Sequence, residues 1–479
     1  MSDVETGRTT TDVPARLDRL PWARWHWMVL VGLGTVWVLD GLEVTIVGSM
    51  SAALKSSSTG LSMSGGDIGT AGAVYVAGAC VGSLVFGQLT DRFGRKRLFL
   101  ITLGVYLVAT TLTAFSPTAL WYFVCRFVTG GGIGGEYSAI NSAIDEMIPA
   151  RFRGRVDVAI NGSYWMGAAV GALVTIPLLN PDRVPSWLGW RLAFGIGAVL
   201  GLLILLVRRN VPESPRWLFI HGREDTAERV VRDIESKVRG STGMDLAEVD
   251  DTITIRQRRT IGFGLIAGTL FKVYPRRTIL CFSLFVGQAF LYNSFFFTFG
   301  DTLTTFYGVK QTGWYLAVFA VSNFVGALAL SPLFDTIGRA RMITVTYVVS
   351  GVLLAVSAFL LHSLSAITLT GLGALVFFIA SPGASSAYLT ASEVFPMETR
   401  ALCIAFFYAI GTAAGGIVGP LLFGRLLDSA EAAKDIGGLA PGYLTGSVLM
   451  VAGGVVAHFL AVHAEGKSLE SVATPLTAE

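Results

Sequence analysis

Apolar runs of about 20 residues recur from Trp25 to His463, each long enough to cross the hydrocarbon of a bilayer as a helix. In lipid every backbone N–H and C=O must find its partner inside the protein, so such runs admit helices and exclude open sheets. Twelve spans are expected, at about 25–49, 67–89, 97–116, 118–144, 156–179, 190–207, 277–300, 312–334, 341–361, 364–390, 401–424 and 441–463. Only 14% of the 479 residues are charged and 52% are hydrophobic, which excludes a large soluble core. The first run is too long for the apolar part of a leader and has no small-residue cleavage pattern behind it, so it reads as a retained span. The net charge of +3 says little about partners. Cys80, Cys125, Cys281 and Cys403 all fall within apolar runs, as expected for buried thiols rather than disulfides or a metal site.

Lys and Arg in the short loops set the expected orientation. One set of loops carries Arg92, Arg95, Lys96 and Arg97, then Arg151, Arg153 and Arg155, then Arg339 and Arg341, then Arg400. The alternate set holds only Lys55, Arg183 and Lys310. The rich set is assigned to the cytoplasm, which places both termini there. The expected division is a cytoplasmic tail 1–24, a six-helix bundle 25–207, a cytoplasmic linker 208–276 with amphipathic helices, a second six-helix bundle 277–463 and a tail 464–479. The linker, with its mixed charge (REDTAERVVRDIESKVR), reads as a solvated connection between two halves.

The halves repeat. GQLTDRFGRKR follows the second span and SPLFDTIGRAR the eighth, pairing Asp91, Gly94 and Arg95 with Asp335, Gly338 and Arg339. Glu146, Pro149 and Arg153 return as Glu393, Pro396 and Arg400 with the same E-x-x-P-x-x-x-R spacing. Asp91 and Asp335 are 244 residues apart, and Glu146 and Glu393 are 247 apart. This is a six-plus-six duplication, an arrangement that places a midplane site between paired bundles.

These motifs resemble the major facilitator superfamily over nearly the whole chain. PESPRWL (212–218) and EGKSLE (465–470) are similar to sugar-porter segments, whereas GGEY (134–137) is closer to the organic-ion and metabolite–proton symporter branches and synaptic-vesicle-protein relatives. The resemblance implies an all-α integral membrane protein of twelve helices in two pseudo-symmetric bundles. It also implies that Asp91, Arg95, Glu146 and Arg153, and in the second half Asp335, Arg339, Glu393 and Arg400, latch an inner gate when the carrier faces outward. Asp and Arg at helix ends also complement helix dipoles, so simple anchoring at the headgroups is the competing reading.

Four ionisable residues sit deep within spans: Asp40, Glu43, Arg126 and Glu136. At about 1.5 Å per residue, Glu43 lies roughly 9 Å from the outer end of span one and Arg126 roughly 12 Å from that of span four. A buried Arg at matching depth needs a carboxylate partner. Glu43 stands where sugar-porter symporters carry the acid of G-x-D-T, here Gly41-Leu42-Glu43-Val44, and Arg126 matches its arginine. The expected role is a coupling proton on Glu43 tuned by Arg126, with a static ion pair as the alternative. Asp40 resembles the first acid of the D-G-x-D segment in aromatic-acid symporters and is read as a second proton site or a substrate contact. Glu136, about 15 Å further inward than Arg126, is assigned to the inner gate. Gly130 to Gly135 contain a G-x-G-x-x-G match, but no strand–helix–strand unit surrounds it, so close helix packing is the reading.

Gln288 and Asn293 are spaced like the sugar-porter Q-x-x-x-x-N amides, with Phe296 and Phe297 where that family has tyrosines. Asn161 stands for a substrate glutamine and Tyr388 for a tryptophan, and Tyr292 lies between the span-seven amides. Amides with aromatics suit hydroxyls or flat organic molecules. Three intramembrane acids against one Arg disfavour a strongly anionic solute. The expected function is proton-coupled symport, by alternating access, of a sugar, polyol or organic cation into the cell. The chain is expected to be a monomer in the plasma (inner) membrane, with the proton as coupling ion, no cofactor and no nucleic-acid partner. Competing readings are a proton-driven exporter or antiporter, and a non-transporting receptor; both acids, Arg126 and the short outer loops weigh against the last. His26, His221, His362, His458 and His463 are scattered without ligand or triad spacing, so no enzyme is expected.

Overall fold

The computed structural model describes residues 6–50, 54, 60–61, 63, 65–180, 182–208, 212–249, 251–257, 263–309, 312–396 and 399–474. The long helices are α2 (Arg24–Ser49), α3 (Gly65–Phe93), α4 (Arg95–Ala114), α5 (Ala119–Met147), α6 (Arg153–Gly162) with α7 (Tyr164–Leu178), and α8 (Ser186–Arg208). The second half holds α12 (Pro275–Tyr307), α13 (Gly313–Thr336), α14 (Arg339–Leu360), α15 (Ala366–Glu393), α16 (Arg400–Ala433) and α17 (Ala440–Leu460). Around them lie α1 (Val13–Asp18), α9 (Pro215–Ile220), α10 (Glu224–Thr242), α11 (Phe263–Gly268) and α18 (Leu469–Val472).

Among the described residues, eleven spans are apolar and long enough to cross a membrane. The twelfth is α5, equally long at 29 residues but interrupted by Arg126, Glu136, Asp145 and Glu146. Two details depart from the expected all-helical pattern. Span five breaks at Ser163, whose hydroxyl donates to the carbonyls of Ile160 (2.6 Å) and Gly34 (3.2 Å) and so competes with the helix ladder. In addition, a short antiparallel ribbon joins β1 (Thr6–Thr11) to β2 (Ile253–Gln257) outside the spans.

Pseudo-symmetry shows in the packing. The halves meet along two seams, α3 against α16 and α6–α7 against α13. Within the first half, α3 and α5 approach through glycines. A Cβ on Gly78 or Gly82 would overlap the carbonyls of Phe127 and Gly131, and one on Gly130 or Gly134 those of Tyr75 and Ala79. The 130–135 glycines are thus a packing surface, which brings the Arg126 helix against the Tyr75 helix.

The repeated D-x-x-G-R turns share a backbone reason. Gly94 and Gly338 have φ of +101° and +105°, in the region only glycine occupies easily. Each turn presents a helix N-terminus to a carboxylate. Arg95 N donates to Glu213 (2.9 Å) and Arg339 N to Glu465 (3.5 Å), so PESPRWL and EGKSLE supply matched anions to the N-termini of α4 and α14.

The linker is not merely a solvated connection. Ala227, Val231, Ile234 and Val238 form a buried stripe on α10, at helical spacing. The N-terminal segment docks on its polar flank: Arg16 donates to Glu235 (3.0 and 2.7 Å) and Glu228 (3.0 and 2.8 Å), and Arg19 to Glu235 (2.5 Å). Partial burial pushes the Glu235 carboxyl up, but hydrogen bonds from Arg16 and Arg19 outweigh it and hold it below the usual range; Glu228 is held low in the same way by Arg232 and Arg16. Groups lowered on folding stabilise the docked form above their unfolded value, near pH 4, and lose that contribution as pH falls through the folded value. Spin labels at Ala15 and Arg239 are therefore expected to stay at one short separation from pH 8 to about 5 and to spread below about pH 4. Arg16→Ala should spread them already at pH 7.

Candidate functional site

A cavity of about 220 Å³ lies between the halves. The first half contributes Trp37 and Asp40 from α2, Tyr75 from α3, Arg126 and Tyr137 from α5, Asn161 from α6, and Tyr164 and Trp165 from α7. The second contributes Gln288, Tyr292 and Asn293 from α12, Ser381, Ser385 and Tyr388 from α15, and Tyr408 and Thr412 from α16. Of the substrate-site residues expected from sequence, Asn161, Gln288, Tyr292, Asn293 and Tyr388 all line it. The side chains of Phe296 and Phe297 lie outside the described residues.

Arg126 and Glu43 form an ion pair of 2.5 Å with both side chains 2% exposed. The other Glu43 oxygen accepts from Thr110 of α4 (3.2 Å). The guanidinium lies 4.3 Å over the ring of Tyr75, and its Nε–H has no partner among the described residues. Arg126 reaches the cavity wall, whereas Glu43 sits behind it. Asp40, one turn from Glu43, accepts from Tyr75 (3.0 Å) on one oxygen and from Tyr137 on the other. An intramembrane ion pair and a doubly bonded acid so close to a cavity are expensive placements, which makes this cavity the candidate site.

Eight of the 23 residues that line the cavity are aromatic. Trp37 stacks on Tyr137 (centroids 4.5 Å), Tyr137 meets Tyr408 at 4.6 Å, and Trp165 meets Tyr292 at 5.2 Å. Sequence reasoning missed Trp37, Tyr75, Tyr137, Tyr164, Trp165 and Tyr408. One signal was available: Trp37 stands three residues before Asp40, on the same helix face. Asn161 donates to Asn141 (3.1 Å), leaving its carbonyl oxygen without a partner among the described residues. Tyr292 donates to Asn323 (2.8 Å), and Asn293 to the Ala289 carbonyl (2.8 Å).

At the far end of the same helices the repeated motifs converge. Arg95 pairs with Glu146 (2.8 Å); Arg339 pairs with Asp335 (2.7 Å) and Glu393 (3.0 Å). Contacts also cross between halves. Asp335 accepts from the backbone N–H of Gly154 (3.1 Å) and Arg155 (2.9 Å), Arg153 lies 4.0 Å from Glu393, and Arg400 lies 3.8 Å from Glu146. Arg153 also reaches Asp18 (3.4 Å) and the Lys467 carbonyl (3.3 Å), so the N-terminal segment and the C-terminal tail join this layer. The Asp91 side chain lies outside the described residues. Glu136 is buried one layer away, accepting from Thr102 (3.4 Å).

Two six-helix bundles, a polar–aromatic cavity between them and an ionic layer joining them at one end define a membrane transporter. The model of the "Sugar (and other) transporter" family matches residues 25–475, and the chain belongs to that family of multi-pass membrane transporters. It is similar to the niacin transporter NiaP of Acinetobacter baylyi, 26% identical over 466 residues that cover 96% of this chain and 99% of the relative. It is also similar to the 4-hydroxybenzoate transporter PcaK of the same organism, 26% identical over 88% of this chain and 90% of that one. Among solved structures, the proton:xylose symporter XylE bound to 6-bromo-6-deoxy-D-glucose shares the fold, with a TM-score of 0.75 at 17% identity, over 94% of this chain and 98% of that one.

Proposed function

We propose that the protein is a proton-coupled symporter that takes up a small organic solute by alternating access, with the motif-rich end facing the cytoplasm. The observation that carries this reading is the Glu43–Arg126 pair, buried in the spans with only its arginine on the cavity wall. A proton on Glu43 cancels the pair's attraction and frees α2 and α5 to shift relative to one another. Asp40 is the second acid in reach, either a further proton site or a solute contact.

Alternate access to the cavity follows from the ionic layer. Its cross-half contacts, Asp335 to the α6 N-terminus, Arg153 to Glu393 and Arg400 to Glu146, hold the inner end shut; an inward-facing state must break them. Arg95, Glu146 and Arg339 tie neighbouring helices within each half and move with them, with Asp91 at the matching turn of the first half and Glu136 behind the gate. One chain holds a complete cavity, so the monomer suffices, and the proton is its coupling ion without further cofactor.

The walls favour a flat solute over a pyranose, because eight aromatic rings line the cavity against three amides. The named substrates of two relatives, niacin and 4-hydroxybenzoate, are also flat, whereas XylE is named for proton and xylose. Sugars, polyols and organic cations remain in the panel that tests this. In proteoliposomes with the outside more acidic, one class of solute is expected to accumulate above its external concentration, and accumulation should collapse when a protonophore removes the gradient. Accumulation that ignores the gradient contradicts the reading.

A further inference from the structure

We propose that the solute is a flat aromatic monocarboxylate, and that Arg126 passes from Glu43 to the solute's carboxylate when Glu43 takes its proton; this rests on the proton-coupled reading above. The guanidinium stands between two places. One side holds Glu43, which does not reach the cavity, and the other faces the cavity itself. Only one N–H is committed to Glu43, at 2.5 Å, while the buried Nε–H has no partner among the described residues. A guanidinium presents its donors as a planar fork that matches a carboxylate.

The exchange balances in charge. The proton adds to a Glu43 carboxylate oxygen and takes from the buried guanidinium the carboxylate it was paired with, which is strongly unfavourable. An ionised carboxylate entering from the cavity restores the pair. One proton and one anion have then entered a site whose net charge is unchanged, so each favours the binding of the other. The ring that carries the carboxylate lies between the Trp37–Tyr137 stack of the first half and the Trp165–Tyr292 pair, which bridges the two halves.

Charge counting in the sequence opposed an anion because it set Asp40, Glu43 and Glu136 together against Arg126. The structure puts Glu136 off the cavity wall and Glu43 in a neutral pair. The groups that face Glu43 and Arg126 are Asp40 on the same helix, Tyr75 from α3, Tyr106 from α4 and Tyr122 from α5. Asp40 is the one remaining acid, and each of its oxygens already accepts a tyrosine hydroxyl.

The test is calorimetric binding to the purified full-length chain, with benzoate, nicotinate, nicotinamide, xylose and benzylammonium as probes. The two carboxylates are expected to bind with one proton taken up, their affinity rising up to about tenfold per pH unit from pH 8 towards pH 6. Nicotinamide, with the same ring shape and no charge, should bind at least about tenfold more weakly than nicotinate. Glu43→Gln should bind the carboxylates at pH 8 as tightly as the wild type does at pH 6, without pH dependence, while Glu43→Asp keeps the dependence. Asp40→Asn should tighten carboxylate binding. Equal binding of amide and acid, a preference for benzylammonium that Asp40→Asn removes, or an unchanged pH dependence in Glu43→Gln would each overturn the inference. Proton-driven accumulation of xylose with no carboxylate binding overturns this inference alone. Proton-linked carboxylate binding without any gradient-driven accumulation overturns the symport reading instead.

Discussion

Glu43→Gln protein, reconstituted with an acidic exterior, is expected to equilibrate its solute across the membrane and to accumulate none. The amide keeps the size of the side chain and a hydrogen-bonding oxygen for Thr110, so the helices stay packed. What it removes is the site where a proton changes the charge. A tenfold proton gradient is worth about 1.4 kcal/mol, so one coupled proton supports about a tenfold solute ratio, and the variant should fall to a ratio of one. Exchange of labelled for unlabelled solute at equal pH, measured on the same liposomes, should persist. A wild-type ratio in the variant would show that the proton enters elsewhere, with Asp40 the next candidate.

The second large effect is on stability. Arg126→Met leaves Glu43 as an unpaired buried carboxylate, and breaking a buried pair in this way costs about 3–5 kcal/mol. The detergent-solubilised variant should unfold at a markedly lower temperature than the wild type. The double variant Glu43→Gln/Arg126→Met should recover most of the loss. If the double variant is as unstable as Arg126→Met alone, the arginine matters through packing on Tyr75 rather than through its charge.

Different parts of this molecule were legible in the sequence to different degrees, for physical reasons. Span length is set by the bilayer, so most helix ends could be read to within about four residues from apolar runs, but α12 and α16 run on to Tyr307 and Ala433, past the expected ends at 300 and 424. The contact between Glu43 and Arg126 followed from depth, because a helix has a fixed rise and a buried arginine needs an anion. The pairing of Arg153 did not follow. The repeat grouped Arg153 with Asp91, Arg95 and Glu146 of its own half and named no partner for it; Arg153 lies by Glu393 and Asp18. Within-half spacing carries no information about which residues meet when the two halves close. The aromatic cavity was also opaque: α2, α3, α5, α7, α12, α15 and α16 carry apolar residues on every face, so little in their pattern tells a tyrosine facing the cavity from one facing lipid. The docked N-terminal segment is held by a few arginines and glutamates far apart in sequence, which composition alone reads as a solvated tail.

The most direct measurement is the pH inside liposomes as solute enters down its own concentration gradient, with no pH gradient imposed. Symport through Glu43 predicts that the interior acidifies in the wild type as solute enters and stays constant in Glu43→Gln. A constant interior pH during rapid wild-type entry, or interior alkalinisation, would contradict proton symport.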